Sequence, residues 1–455
     1  MNKIDNSLRD VASEAEKIDA GEFSIDGFDF SDGQFVASFT VVVEGESRTL
    51  KEQIDFRGVD RVSPPSRSLL RLLTLACSLS YFKATPATLI AVQFPLLESE
   101  KHFLESLIGH GLAEFAYRND LPKKLRPSVS VTFLPAEVNP ATRSWRIESR
   151  PVVAVGGGKD SVVTIEALQM SGMNPMLFSV NQFGPIDKCV AVSGCDYILV
   201  DREIDPQLRI MNERGATNGH VPVTAINSLI GLLIADIGGF GPLVMSNEGS
   251  ANFGNLNWNG LEVNHQWSKS LEFEDLLRAT LTASNLEEDR YFSLLRSYNE
   301  LEIAERFSTH SQYFRAFTSC NRVFKIDPAA RNSTWCGECP KCHFVFLILA
   351  PFMSRALLVE IFGRNLLNES ENVTAYEEII GVRGNKPFEC VGEYEEAAEA
   401  FQRLSQQRDW QSDAVVKTLE MDSRAVVASA TSQPHEDRVP KAYRDARNRV
   451  ASHAA

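Results

Sequence analysis

The stretch Pro151-Val-Val-Ala-Val155 followed by Gly156-Gly-Gly-Lys-Asp-Ser161 most constrains what this chain can fold into. Five apolar residues, mostly β-branched, predict a short buried strand. Three glycines clear the turn of side chains, and Val162 to Met170 has the composition of a helix. A strand, a glycine turn and a helix N-terminus make an anion site. Bare N–H groups point outward, the helix dipole favours negative charge, and only glycine lets a phosphate come close. Lys159 adds a point charge and Ser161 a hydroxyl, while Asp160 suits a bridging Mg²⁺ or a bond to the loop's own backbone. The pattern is neither the Gly-Lys-Ser/Thr phosphate loop nor the alternating-glycine dinucleotide fingerprint.

Downstream, strand and helix signals alternate. Met176–Val180, Tyr197–Val200 and Pro242–Met245 read as strands, and Val223 to Ile237 as a long apolar helix. This predicts an α/β fold with a doubly wound parallel sheet covered on both faces, its ligands at the carboxyl ends of the strands. Asn181-Gln182 and Ser246–Ser250 follow two of those strands. Upstream, FDFSDGQFVASFTVVVEG and TLKEQIDF alternate as an antiparallel hairpin or meander. Helical patterns follow from Ser68 and in HFLESLIGHGLAEFAYR. Tyr81, Phe82 and Lys83 either pack or face a pocket. Proline-rich Leu125–Pro140 marks a boundary. The expected division is an N-terminal α+β domain (1–140), an ATP-binding α/β domain (141–310), a Cys-cluster and helical region (311–420), and a flexible tail (421–455).

The 455 residues allow two or three domains, and 44% hydrophobic with 23% charged residues is ordinary for a globular protein. A net charge of -14 opposes nucleic-acid binding. The polar start lacks a signal core, and the run Phe344–Met353 is about half of a membrane span. The expectation is a cytoplasmic protein with no membrane contact, its eight cysteines reduced or metal-bound.

Two stretches carry further chemistry. Within NFGNLNWNGLEVNHQWSKS, the residues Asn264, His265, Trp267, Ser268 and Lys269 suit a polar, charged substrate; the alternative is a surface loop capping the next helix. Cys336, Cys339 and Cys342 form C-x2-C-x2-C with Cys320 upstream, a spacing that suits a closed, structural Zn²⁺ site. An iron–sulfur cluster is the competing occupant, and His343 an alternative to Cys320. Cys77, Cys189, Cys195 and Cys390 show no metal spacing and read as ordinary buried thiols. Lys386–Cys390 is a turn that reaches toward the site.

The loop resembles the SGGxDS loop of the PP-loop (HUP-like) ATP pyrophosphatase superfamily, with Gly156 in place of Ser and Val162 where Ser or Thr is common. The 7-cyano-7-deazaguanine synthase family shares both this loop and a four-Cys zinc site. The segments SYFKA, VGGGKDS, EVNHQWSKS, WCGECPKCHFVFLILAPF and KPFECVGEYEE are more similar to the family of epimerases acting on UDP-N-acetylmuramoyl-L-alanyl-L-glutamate (MurL). This resemblance implies conversion of the terminal L-glutamate of a nucleotide-sugar dipeptide to D-glutamate, after a ligase has added it, for peptidoglycan synthesis. ATP and Mg²⁺ would be consumed with release of AMP and pyrophosphate. Gly156, Gly157, Gly158, Lys159, Asp160 and Ser161 would hold phosphates, with Asp160 placing Mg²⁺. Lys269 would bind a substrate carboxylate or phosphate. His265 is the first candidate base and His220, in TNGHVP, the second. The alternatives are an amide- or nitrile-forming ligase of the deazaguanine type and a non-catalytic nucleotide-binding regulator.

Overall fold

Val152 and Val153, adjacent on the strand before the glycine turn, bury into two different hydrophobic cores. A strand covered on both faces requires this alternation. The computed structural model repeats it at Phe178 and Leu177, at Leu243 and Val244, and at Tyr291 and Phe292. It describes residues 22–43, 45–121, 125–135, 145–325, 328–419 and 436–451. Part of the proline-rich boundary (136–140) and part of the expected tail (421–435 and 452–455) lie outside the described residues.

Strands β1 (Glu22–Ser31), β2 (Gln34–Val43) and β3 (Glu46–Asp55) form the antiparallel meander, turned first at Asp32-Gly33, both with positive φ. β4 (Leu89–Val92) and β5 (Ser128–Ser130) add in parallel beyond β1. Then come β6 (Val152–Ala154), β7 (Met176–Val180), β8 (Tyr197–Ile204) and β9 (Leu243–Met245). The separate hairpin of β10 (Leu256–Trp258) and β11 (Leu261–Val263) turns at Asn259-Gly260. Last is β12 (Tyr291–Ser293), which the sequence reading did not anticipate.

The large sheet has the order β12-β9-β6-β7-β8-β3-β2-β1-β4-β5. β12, β9, β6, β7 and β8 pair in parallel. The architecture is therefore α/β with a large, mostly parallel sheet. One feature departs from the expectation. β8 continues four residues beyond Val200, and Asp201–Ile204 pairs antiparallel with Glu52–Asp55 of β3. The meander thus extends the same sheet, because buried Glu52 forms an ion pair with Arg202 across the seam (2.7 Å).

Helices Arg67–Phe82 and Val223–Gly238 cover one face; Lys159–Met170, Glu300–Phe307, Pro340–Leu349 and Tyr394–Ser405 pack into the other core. Tyr81 belongs to the packing: its ring stacks on Phe39 at 4.7 Å and its hydroxyl donates to the Lys51 carbonyl. No helix among the described residues is long and apolar enough to cross a membrane. Residues 436–451, expected as tail, dock instead. Tyr443 is buried against Phe292, and Arg438 pairs with Asp275 at 2.7 Å.

The neighbours β12, β9 and β6 all end on the same edge. Their following loops deliver Glu300, Asn247 to Ser250, and Gly156 to Ser161 to one place.

Candidate active site

The glycine turn is built as an anion cradle. Gly157 has φ of +75°, and a Cβ there would sit 3.3 Å from the Ile186 nitrogen, so glycine is required twice over. Gly158 is the N-cap of helix Lys159–Met170 and leaves its N–H groups without a side-chain cap. A Cβ on Gly156 would meet nothing within 4 Å, so the loop is open on that side. Ser161 Oγ donates back to the Gly158 carbonyl at 3.1 Å.

Lys159 differs from the expectation. Its ammonium is buried and ion-paired with both Asp160 and Glu300, turned into the protein rather than out toward a phosphate. Burial opposes its charge, but the two carboxylates outweigh that and push its pKa up. Burial likewise opposes ionisation of Asp160, and Lys159 holds its pKa below the usual carboxylate value. Asp160 is thus an anion with its side chain 27% exposed, a fitting ligand for a cation.

Buried charge continues away from the loop. Lys341, on the helix after the cysteine knuckle, lies 3.9 Å from Glu300 and donates to the Cys390 carbonyl. Lys269 Nζ is 3.5 Å from Cys390 Sγ, and the charges of Cys390, Glu248, Asp160 and Glu300 raise its pKa against burial. Glu396 accepts from Ser250 Oγ at 2.5 Å and from the Glu300 N–H at 2.8 Å; burial and the Glu300 charge push it up to about 7.

Cys390 leads to the histidines. Burial would raise its thiol, but Lys269 and a hydrogen bond with His265 bring it down to about 6. His265 Nδ1 is 2.5 Å from Glu114 Oε2. Burial disfavours its charged ring, yet Cys390 and Glu114 push it up to about 9. His265 is therefore a cation at neutral pH. His220 packs on it with ring centroids 4.3 Å apart; burial and the His265 charge bring it down to about 3, so it is neutral. Lys83 donates to Asn218 and to the Gly219 carbonyl beside His220, and burial lowers it to about 8. Glu114, His220 and His265 converge within 4.8 Å as a metal site would. Glu114 also pairs with Arg118 at 2.6 Å.

The backbone has been shaped to bring these groups together. A π-helical turn, Leu107–Gly111, delivers Glu114 into the interior. A Cβ at Gly111 would lie 2.9 Å from Pro222, so the turn fits closely against the His220 loop. Asn255 accepts from the His265 N–H (2.9 Å) and donates to the Pro387 carbonyl (2.8 Å). Gln266 Nε2 donates to the Val391 carbonyl at 3.2 Å. These bonds fix the Cys390 turn against the His265 segment.

Other expected residues have internal tasks. Asn264 donates to Ala251 and accepts from Gln266. Trp267 is buried, stacked on His110 and bonded to Glu272. Ser268 is buried beside them. Asn181, with φ of +61°, accepts from the Arg202 N–H. Glu114, Glu300, Lys341 and Cys390 were missed. Cys390, read as an ordinary thiol, is the clearest correction; its only signal was its place in the Lys386–Cys390 turn. A cavity of about 360 Å³ between Pro151, Met173 and Tyr443 lies at the opposite, amino-terminal end of the parallel strands.

The four sulfurs of Cys320, Cys336, Cys339 and Cys342 converge within 4.8 Å and could hold a metal ion. Measured separations are 4.0 Å for Cys320–Cys339, 3.6 Å for Cys336–Cys342 and 3.5 Å for Cys339–Cys342. His343 does not replace Cys320, because its Nε2 faces the Gly337 carbonyl at 3.2 Å. The cluster backs onto the loop: the Thr318 N–H donates to the Gly157 carbonyl at 2.8 Å, two residues before Cys320.

Two family models match this chain. The MurL N-terminal domain matches residues 14–294 and the MurL C-terminal domain residues 316–434. The UDP-N-acetyl-alpha-D-muramoyl-L-alanyl-L-glutamate epimerase of a Micromonospora species is 45% identical over 368 residues, covering 80% of this chain and 81% of that protein. The protein of the same name from Salinispora tropica is 42% identical over 411 residues, 89% of this chain and 88% of the relative. That from Xanthomonas oryzae pv. oryzae is 41% identical over 356 residues, 78% of each chain. No solved structure matches.

Proposed function

This chain belongs to the MurL family, and from that premise we propose that it inverts the terminal glutamate of UDP-N-acetylmuramoyl-L-alanyl-L-glutamate from L to D at the expense of ATP. A carboxylate protects its own α-proton, because deprotonation would set a second negative charge beside the first. Adenylation removes the first charge, and the carbanion becomes a reachable enolate. Release of AMP and pyrophosphate then makes the cycle irreversible.

Residues divide the work by position. The Gly156 to Ser161 turn holds phosphates on the uncapped N–H groups after Gly158, in a PP-loop type of fold. Mg²⁺, when bound at Asp160, supplies positive charge that neutralises the phosphates. Lys159 orders Asp160 and Glu300 from within. Lys269 takes the substrate carboxylate. His265, kept charged by Glu114, is the proton donor rather than the resting base, and neutral His220 stands beside it. Asn264, Trp267 and Ser268 shape this segment from beneath. The cysteine cluster holds structural Zn²⁺ in a Cys-rich helical C-terminal part. Zn–S bonds of about 2.3 Å put tetrahedral sulfurs about 3.8 Å apart, and the measured 3.5–4.0 Å supports that choice. The enzyme would work in the cytoplasm on the product of a ligase that adds L-glutamate, feeding cell-wall synthesis.

The observation that supports this reading is the run of charged groups from Asp160 through Lys159, Glu300 and Lys341 to the Cys390 turn, against which Lys269 and the His265–Glu114 pair also stand. Reaction in D₂O with ATP and Mg²⁺ tests it. Deuterium is expected at the glutamate α-carbon of the D-product, with AMP appearing alongside and no need for ammonia. Retention of the α-hydrogen would refute it.

A further inference from the structure

A low thiol pKa alone assigns no role to Cys390, but its neighbours do. His265 faces Cys390 and pairs through Nδ1 with Glu114 at 2.5 Å, and the other Glu114 oxygen is fixed by Arg118 at 2.6 Å. This is the order of a nucleophile, its acid–base partner and the group that orients the partner. Cys390 is half-buried, and Lys269 Nζ lies 3.5 Å from its sulfur as a local cation. Beside it, Gln266 is nine-tenths buried and bonded to the Val391 carbonyl, yet its Oε1 has no hydrogen-bond partner among the described residues. A buried acceptor left open next to a thiol is a place for a donor that arrives with substrate.

We propose that Cys390, His265 and Glu114 form a nucleophilic triad, in which the Cys390 sulfur takes the activated glutamyl group from AMP and carries it as a thioester while its α-carbon is inverted. This rests on the adenylation reading above. The thiolate pair attacks the acyl carbon of the acyl-adenylate; the C–S bond forms, the C–O bond to phosphate breaks, and AMP leaves with that electron pair. Sulfur lone pairs overlap poorly with a carbonyl, so the α-proton of a thioester is more acidic than that of an oxygen ester. Acylation also removes one of the two anions that hold the His265 proton, Glu114 being the other. The adjoining imidazoles then serve the proton exchange: neutral His220 takes the α-proton and the His265 imidazolium returns one to the enolate. Water finally attacks the thioester, the C–S bond breaks, and sulfur leaves as thiolate while both water protons pass to solvent by way of the histidines. The D-carboxylate is released with no net redox change.

Acid-quenched single turnovers of the full-length protein with ATP, Mg²⁺ and the L-glutamyl substrate provide the test. Intact-mass and peptide analysis should find substrate minus one water on Cys390, labile to hydroxylamine. Cys390→Ala and Cys390→Ser should lack this adduct. Both should lose AMP release and α-deuterium incorporation by on the order of a thousandfold or more. Exchange of pyrophosphate into ATP should persist in both, which also reports that they are folded. Exchange without any adduct in the wild type, or epimerisation within about tenfold of wild type in a folded Cys390→Ala, overturns the thioester and leaves adenylation standing. Absence of pyrophosphate exchange in the wild type overturns adenylation, and the thioester with it.

Discussion

Replacing Glu114 by Gln should move the alkaline limit of activity downward and leave the acid limit almost in place. Glu114 is 4% exposed, and its Oε2 lies 2.5 Å from His265 Nδ1. His265 sits at about 9, raised first by Cys390 and then by Glu114. Its imidazolium is present below that value and lost as pH rises through it. Cys390, at about 6, is a thiolate above that value and a thiol below it. The working ion pair therefore spans a window from about 6 to about 9. The groups facing Cys390 are Lys269, Lys341 and His265; those facing His265 are Glu114, His220 and Cys390. Only the Glu114 charge changes in the variant, and Gln keeps its size. Loss of one of two anionic partners should lower the His265 value by about 1–2 units, or about 1.4–2.7 kcal/mol. The plateau should then end near pH 7–8, giving a loss of about five- to fiftyfold at pH 9 and of at most about twofold at pH 7. The assay is kcat/KM from about pH 5 to about pH 10, following the chirality of the glutamate after acid hydrolysis of the dipeptide product. An unmoved alkaline limb in a folded Glu114→Gln protein would refute the role given to Glu114.

Asp160→Ala should cut formation of AMP and pyrophosphate by about a hundredfold or more, while circular dichroism stays native, because Lys159 keeps Glu300 as a partner; near-normal AMP release would sink the metal-placing role. Cys339→Ser should reduce bound zinc from about one per chain to none and lower solubility. Full stability of a metal-free protein would remove the structural site.

The parts of the fold legible in the sequence are those set by local periodicity. Val152 to Ala154, Met176 to Val180 and Leu243 to Met245 are short apolar runs between turns, and each forms a strand within a residue of its expected limits. Asp201 to Ile204 was not legible as strand because its polar alternation is stabilised from outside, by pairing with β3 and by the Glu52–Arg202 ion pair. The site divides in the same way. The glycine turn and the C-x2-C-x2-C spacing are contiguous and could be found. Glu114 sits inside an ordinary-looking amphipathic helix, and nothing in HGLAEFAYR signals a π-turn that delivers it to a histidine 151 positions later. Cys390 is separated from Lys269 by 121 positions, so its activation exists only in three dimensions. Lys159 was found, but its pairing with Glu300 was not legible, because Glu300 follows a strand, β12, that the sequence did not show.

The arrangement also explains why a metal knuckle belongs in this enzyme at all. Gly157 takes a bond from Thr318, and Gly158 packs on Ser319, immediately before Cys320. On the knuckle's other side, Cys339 caps the helix Pro340–Leu349, whose Lys341 holds the Cys390 carbonyl and faces Glu300. A tetrahedral ion binding all four sulfurs would therefore fix the rear of the phosphate loop and the base of the Cys390 turn relative to each other. Glu114, His220, His265 and Lys269 lie within residues 14–294, whereas Lys341 and Cys390 lie within 316–434. Neither part holds a complete set of groups. A metal closing the knuckle would assemble them, and would for that reason act through geometry, several residues from any reacting atom.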